Sequence, residues 1–201
     1  MTRARDLADA ADKDFSGTVT VDNITIGGNI SQDSGTVKLD GNYPTGSQNV
    51  ALGDTALDSL TTGGDNNVAI GHAALTTVIT GDQNIAIGTN ALRDNTASQN
   101  IAIGFHALVA NSSGASNTAV GYGSLDPNTT ASNNSAFGHL ALSANTTGTN
   151  NVAVGTGAAQ NTTTGGQNNA FGKNSLFTNQ TGSNNVAMGE NALYYNTASS
   201  N

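Results

Sequence analysis

A five-residue motif, Asn-x-Ala-apolar-Gly, recurs nine times along this chain and closes on Gly53, Gly71, Gly88, Gly104, Gly121, Gly138, Gly155, Gly172 and Gly189. The spacings are 18, 17, 16, 17, 17, 17, 17 and 17, a 17-residue period with one insertion and one deletion. Four residues before each Gly stands Asn, from Asn49 to Asn185, and two before stands Ala: Ala51, Ala69, Ala86, Ala102, Ala119, Ala136, Ala153, Ala170 and Ala187. The residue just before the Gly is always apolar: Leu52, Ile70, Ile87, Ile103, Val120, Phe137, Val154, Phe171 and Met188. Four residues after it comes Leu in eight of nine copies, with Ala159 the exception. Further on, Asn and then a hydroxyl residue recur, as in Asn111-Ser112 and Asn145-Thr146.

A 17-residue unit is too short for a helix pair and suits one coil of a solenoid. The expected coil has two strands of about five residues joined by two turns, with successive coils stacked at about 4.8 Å. Identical residues then fall into columns, and columns of Asn and Thr can pair up the stack. The expected fold is therefore all-β: a parallel β-solenoid, or β-roll, of nine 17-residue coils spanning residues 47–201. Such order is needed, because the composition supplies little else. Only 10% of residues are charged and 4% aromatic, with 25 Gly, no Trp and no Cys. An irregular chain of this kind could not offset its conformational entropy.

Within the motif, alternation sends Ala to one face and its two neighbours to the other. The expectation is that the larger pair fills the coil with the Leu column, making Leu52, Ile70, Ile87, Ile103, Val120, Phe137, Val154, Phe171 and Met188 core residues. A position that is Ala in every copy faces something close. A cramped interior would impose that restriction, and so would another chain near a three-fold axis. The second reading is preferred, which makes the nine Ala a trimer contact. Three large apolar residues per coil leave a single stack marginal, and trimerisation would add burial.

The ninefold Asn-Val-Ala-Ile-Gly motif followed by Ala-Leu resembles the head repeats of YadA-like trimeric autotransporter adhesins, over Ser47 to Asn201. That resemblance implies a parallel β-roll with three chains packed together. The family's usual repeat is shorter, and the extra length here lies in the Asn-Thr-Thr-Gly turn. The longer unit, as in Asn184–Leu193, is similar to repeats of tail-fibre and structural proteins of tailed phages. The opening Thr2–Ala8, with Thr18–Asp22, Ile24–Gly27 and Thr36–Asp40, resembles the start of such fibres. By that resemblance residues 1–15 are an attachment arm, with Arg3, Arg5 and Leu7 as candidate contacts to a phage tail or baseplate protein. Residues 2–12 read as a short helix capped by Thr2 or as a frayed arm, and residues 16–46 as a small β collar.

The remaining chemistry is sparse. The formal charge is −8, which argues against nucleic acid and anionic membrane surfaces. No stretch approaches a membrane span, and Met1–Asp6 lacks the apolar core of an export signal. His72, His106 and His139 fall in the turn after the repeat Gly, without the neighbours a metal site needs. Gly63-Gly64-Asp65-Asn66 and Gly81-Asp82 only superficially resemble calcium-binding repeats. The seven acids of the array are scattered, so no paired carboxylates suggest a glycanase.

The expected protein is thus non-enzymatic and without cofactors: a homotrimeric virion fibre segment carrying a distal host-receptor-binding region. A bacterial adhesin head binding glycans or matrix is the alternative. An ice-binding solenoid is a third reading and would want two aligned Thr columns on one strand face.

Overall fold

The computed structural model describes residues 36–38, 48–59, 63–78 and 80–196, with the side chains of 36–38 excepted. They belong to one compact unit, Asp33–Asn201. Ten short strands follow one another: β1 (Thr36–Lys38), β2 (Asn49–Leu52), β3 (Val68–Ile70), β4 (Ile85–Ile87), β5 (Ile101–Ile103), β6 (Thr118–Val120), β7 (Ser135–Phe137), β8 (Val152–Val154), β9 (Asn169–Phe171) and β10 (Val186–Met188). They form a single sheet in sequence order, and every pair is parallel. The register is strict: Ala51 lies beside Ala69, Ala69 beside Ala86, and so on to Ala187. The chain is therefore a parallel β-solenoid, as the period implies. The β1 strand lies within the segment read as a collar and pairs in parallel with β2. The attachment residues Arg3, Arg5 and Leu7, and the helix or arm over 2–12, lie outside the described residues.

Each described coil has one strand, not two. The wall opposite the sheet is a chain of two reverse turns. In the first, the Gly carbonyl accepts from the amide three residues on, as in Ala107 N to Gly104 O at 3.4 Å and Ala141 N to Gly138 O at 3.3 Å. In the second, the Leu carbonyl accepts from the following Asn, as in Asn128 N to Leu125 O at 3.1 Å. Between them the Leu amide donates to the next coil, as in Leu125 N to Ala141 O at 3.1 Å. This path needs a positive φ at Leu itself, from 49° to 57° in the eight Leu copies. A left-handed non-Gly residue costs roughly 1–2 kcal/mol. Burying a Leu side chain contributes roughly 1.5–3 kcal/mol. Leu57, Leu75, Leu92, Leu108, Leu125, Leu142 and Leu176 are all fully buried, so burial offsets the strain.

The packing reverses the expected assignment of the two strand faces. All nine motif Ala are inside the coil, 0–1% exposed within a single chain. They face the Leu column and cannot meet another molecule. The expected trimer contact through Ala51 to Ala187 is therefore excluded. Conversely, Leu52, Ile70, Ile87, Ile103, Val120, Phe137, Val154, Phe171 and Met188 point outward and are exposed or half-exposed. They are not the coil core. The physical reason is width. The interior already holds one Leu, an Ala or Ser before it and up to two Asn per coil, so only Ala fits on the sheet side. At the corner the backbones approach more closely still. A Cβ on Gly121, whose φ is 136°, would lie 2.4 Å from the carbonyl oxygen of Gly138.

Two internal Asn ladders tie coil to coil. In the first, each motif Asn accepts the backbone amide of its successor through Oδ1, from Asn67 N to Asn49 Oδ1 at 2.7 Å to Asn185 N to Asn168 Oδ1 at 3.0 Å. Its Nδ2 donates to the carbonyl at the following corner, as in Asn117 Nδ2 to Ala131 O at 2.8 Å. The second ladder runs Asn145 to Asn128 to Asn111 to Asn95, each Nδ2 donating to the Oδ1 below at 2.7–3.0 Å. It breaks at Thr162. There Asn145 Oδ1 and Thr162 Oγ1 are buried without a partner.

Two outcomes follow from this packing. An orphaned buried polar group costs about 1–3 kcal/mol, so Thr162→Asn is expected to give Asn145 Oδ1 a donor and raise the thermal midpoint by several degrees. An unchanged or lower midpoint would show that the ladder contributes little. Ala119→Leu overfills the coil and is expected to destabilise the fold by about 1–3 kcal/mol or more, seen as an earlier loss of β-sheet circular dichroism on heating. A variant as heat-stable as the parent but altered in self-association would return Ala119 to the surface.

Candidate contact surface and side-chain ladders

The most extended surface feature is the strip formed by the outward residues of β2–β10. It has two columns. One consists of the residues before each Gly. The other consists of Val50, Val68, Ile85, Ile101, Thr118, Ser135, Val152, Asn169 and Val186. Short strands with strict register hold both columns in line, because one pleat separates them from the inward Ala. Eight steps of about 4.8 Å make the strip roughly 38 Å long. Its apolar members stay open in mid-array: Ile103 is 37% exposed, Phe137 41% and Phe171 37%. Neither column carries a charged residue. Continuous apolar exposure of this kind marks an interaction surface.

The outer turn carries a second feature. Phe105 stacks on His106 with centroids 4.1 Å apart and on Tyr122 at 5.4 Å, and Tyr122 stacks on His139 at 5.3 Å. Phe105, Tyr122 and His139 sit one above another because each is the residue after a repeat Gly, whereas His106 is the sequence neighbour of Phe105. His106 Nε2 lies 3.0 Å from Asn90 Nδ2 in the coil below. His72 lies 3.8 Å from Asp54, both largely exposed, and Lys173 pairs with Glu190 at 3.3 Å. The three histidines thus occupy the turn, as their sequence positions imply. Each neighbours an adjacent coil rather than another histidine. Arg93 forms a bidentate pair with Asp94 at 2.8 and 2.6 Å. That bond holds the Asp94 carboxyl below the usual carboxylate range and raises Arg93. Burial pushes Asp126 up, against the opposing pull of His106 and Arg93.

The hydroxyl column of the long turn is largely committed to structure. Thr96, Ser112, Thr129, Thr146 and Thr163 each donate to a carbonyl of the next coil at 2.6–3.3 Å. The adjacent Thr130, Thr147, Thr164 and Thr181 are exposed, giving one outward rank at a corner. Asp82, in the segment with a superficial calcium-repeat likeness, accepts the Asp65 amide at 2.7 Å and so acts as a rung between coils. Among the described residues, no group of three or more His, Cys, Asp or Glu could hold a metal ion. Among them, too, no helix is long and apolar enough to cross a membrane.

Sequence reasoning placed the strip residues on one face but assigned that face to the interior. The available signal was the second column, which admits Thr118, Ser135 and Asn169. A column packed inside so narrow a coil would be as uniform as the Ala and Asn columns, and this one is not. In comparisons with known proteins, no family model, no curated protein and no solved structure matches this chain.

Proposed function

We propose that this chain is a structural, non-enzymatic segment of a virion fibre, assembled as a homotrimer through the apolar strip on β2–β10. The carrying observation is that strip. Its roughly 4.8 Å repeat along some 38 Å is matched by few surfaces other than a second copy of itself. Its lack of charge also makes close approach of identical faces free of repulsion. The resemblance of the repeats to trimeric adhesin heads and phage tail fibres supplies the number three and the fibre context. In this reading the N-terminal arm attaches to a phage tail or baseplate protein. The stacked coils act as a spacer that carries a receptor-binding region toward a host cell. The ice-binding reading is less favoured, because one hydroxyl column is spent on carbonyls of the next coil.

The test is the mass and shape of the purified chain, by light scattering with small-angle X-ray scattering, for the parent and for Ile103→Asp/Val120→Asp. The parent is expected to be a rod of three chains. The double variant is expected to fall to one third of that mass while keeping its β-sheet circular dichroism, since both side chains point away from the coil interior. A monomeric parent, or a variant that stays trimeric, would overturn the strip as the contact.

A further inference from the structure

The strip is irregular in a paired way. Where the column from Val50 to Val186 holds Val or Ile, the column before the Gly holds Leu, Ile, Val or Met: Val50 with Leu52, Val68 with Ile70, Ile85 with Ile87, Ile101 with Ile103, Val152 with Val154, Val186 with Met188. The two Phe occur only beside small or polar neighbours, Phe137 with Ser135 and Phe171 with Asn169. Thr118 stands with Val120. At the two Phe layers the largest residue of the strip stands beside one of its smallest or most polar, whereas most other layers pair residues of similar size.

A repetitive contact has a register problem. Copies displaced by one whole coil would meet nearly the same surface, as in sheets whose register is weakly specified. From Leu52 to Ile103 the column before the Gly offers only Leu and Ile, which would pack about equally well after a slip. Charge cannot fix the register, because neither column has any. We propose that the Phe137/Ser135 and Phe171/Asn169 layers are the residues that set the axial register between copies of this chain. The inference rests on the self-association through this strip proposed above.

In register, Phe137 meets Phe137 of the other copies, and the small Ser135 beside it leaves room. A slip of one coil sets Phe137 against Val120 or Val154. The Val154 layer also carries Val152, so one layer is overfilled and the next underfilled, and close-packed contacts tolerate neither. A slip of two coils aligns Phe137 with Phe171 once and leaves the remaining Phe of each copy mismatched. Two keyed layers, two coils apart, therefore single out one alignment.

The experiment uses the full chain, which has no Cys, with Thr147→Cys at an exposed corner as a spin-label site. Pulsed electron paramagnetic resonance reads the distances between labels on different chains. The parent is expected to give one narrow distance. Ser135→Val/Phe137→Val/Asn169→Val/Phe171→Val makes β7 and β9 identical to β8 in their outward residues. It is expected to keep the oligomer mass and to add longer distances from copies slipped by whole coils. The milder Phe137→Val/Phe171→Val is read in the same way if the fourfold variant does not fold. Variants that stay associated with the single parental distance would overturn the register role while leaving the self-association standing. A labelled parent that is monomeric by light scattering would instead overturn the self-association, and this inference with it.

Discussion

Every coil in this structure is completed by its neighbour. The strand has no partner within its own coil, so its amides and carbonyls are satisfied only by the coils before and after it. The same is true of the motif Asn, whose Oδ1 waits for the amide of the next Asn. A buried amide side chain without that partner is costly. Eight such Asn bonds in succession make the stack a cooperative object in which no single coil is stable alone. A composition poor in large side chains can hold a shape because the order is supplied by repeated hydrogen bonds in a narrow, buried interior. The same dependence explains the uniformity of the columns. A substitution at one Asn disturbs two coils, as the break at Thr162 shows by orphaning Asn145 Oδ1 in the coil below.

Much of this was legible in the residue order. The 17-residue period, the constant Asn and Ala columns and the single-residue register all appear unchanged in the sheet. What could not be read directly was which strand face is the inside. Alternation separates Ala from its neighbours but does not orient the strand, and the usual expectation puts large apolar residues within. Here that expectation fails because the coil is narrow enough for one Leu to fill it. The hints were distributed: small residues at Ala119, Gly121 and Ser124 of one coil, and polar residues at Thr118, Ser135 and Asn169 on the face thought to be core. The second wall was misread for a related reason. Gly-x-x-Ala and Leu-x-x-Asn are four-residue spans of the length of reverse turns, but Leu at positive φ is disfavoured enough that sequence reasoning passes over it. In seven of the eight Leu copies full burial of the side chain offsets that strain.

Turning the strand around changes what the apolar residues are for. In the interior, Ile103 and Phe137 would have been explained by the fold of one chain. On the outside they are surplus to it, and their exposure becomes the observation that needs a partner. The outer turns show what an ordinary solvated column looks like in the same molecule: His72 beside Asp54, Lys173 beside Glu190, Thr and rings mixed without a rule. The strip differs from them in having no charge and an apolar residue in every copy of one column. Composition therefore varies freely on the outer turns and is more restricted in the interior and along one column of the strip.

Repetition makes the surface of this solenoid nearly the same from coil to coil. Repetition also removes the landmarks by which identical chains could align. On the outward strip, Phe137 and Phe171 are the largest departures from the aliphatic rule, and each stands beside a small or polar neighbour in the same strand. The departures at Thr162 and Ala159, by contrast, fall inside one coil and leave a buried acceptor without a donor. Interior irregularities cost the stack stability, whereas irregularities on the strip can carry information about alignment. That difference is why the outward face of β7 and β9, and not the ladder, is where a specific assembly would be encoded.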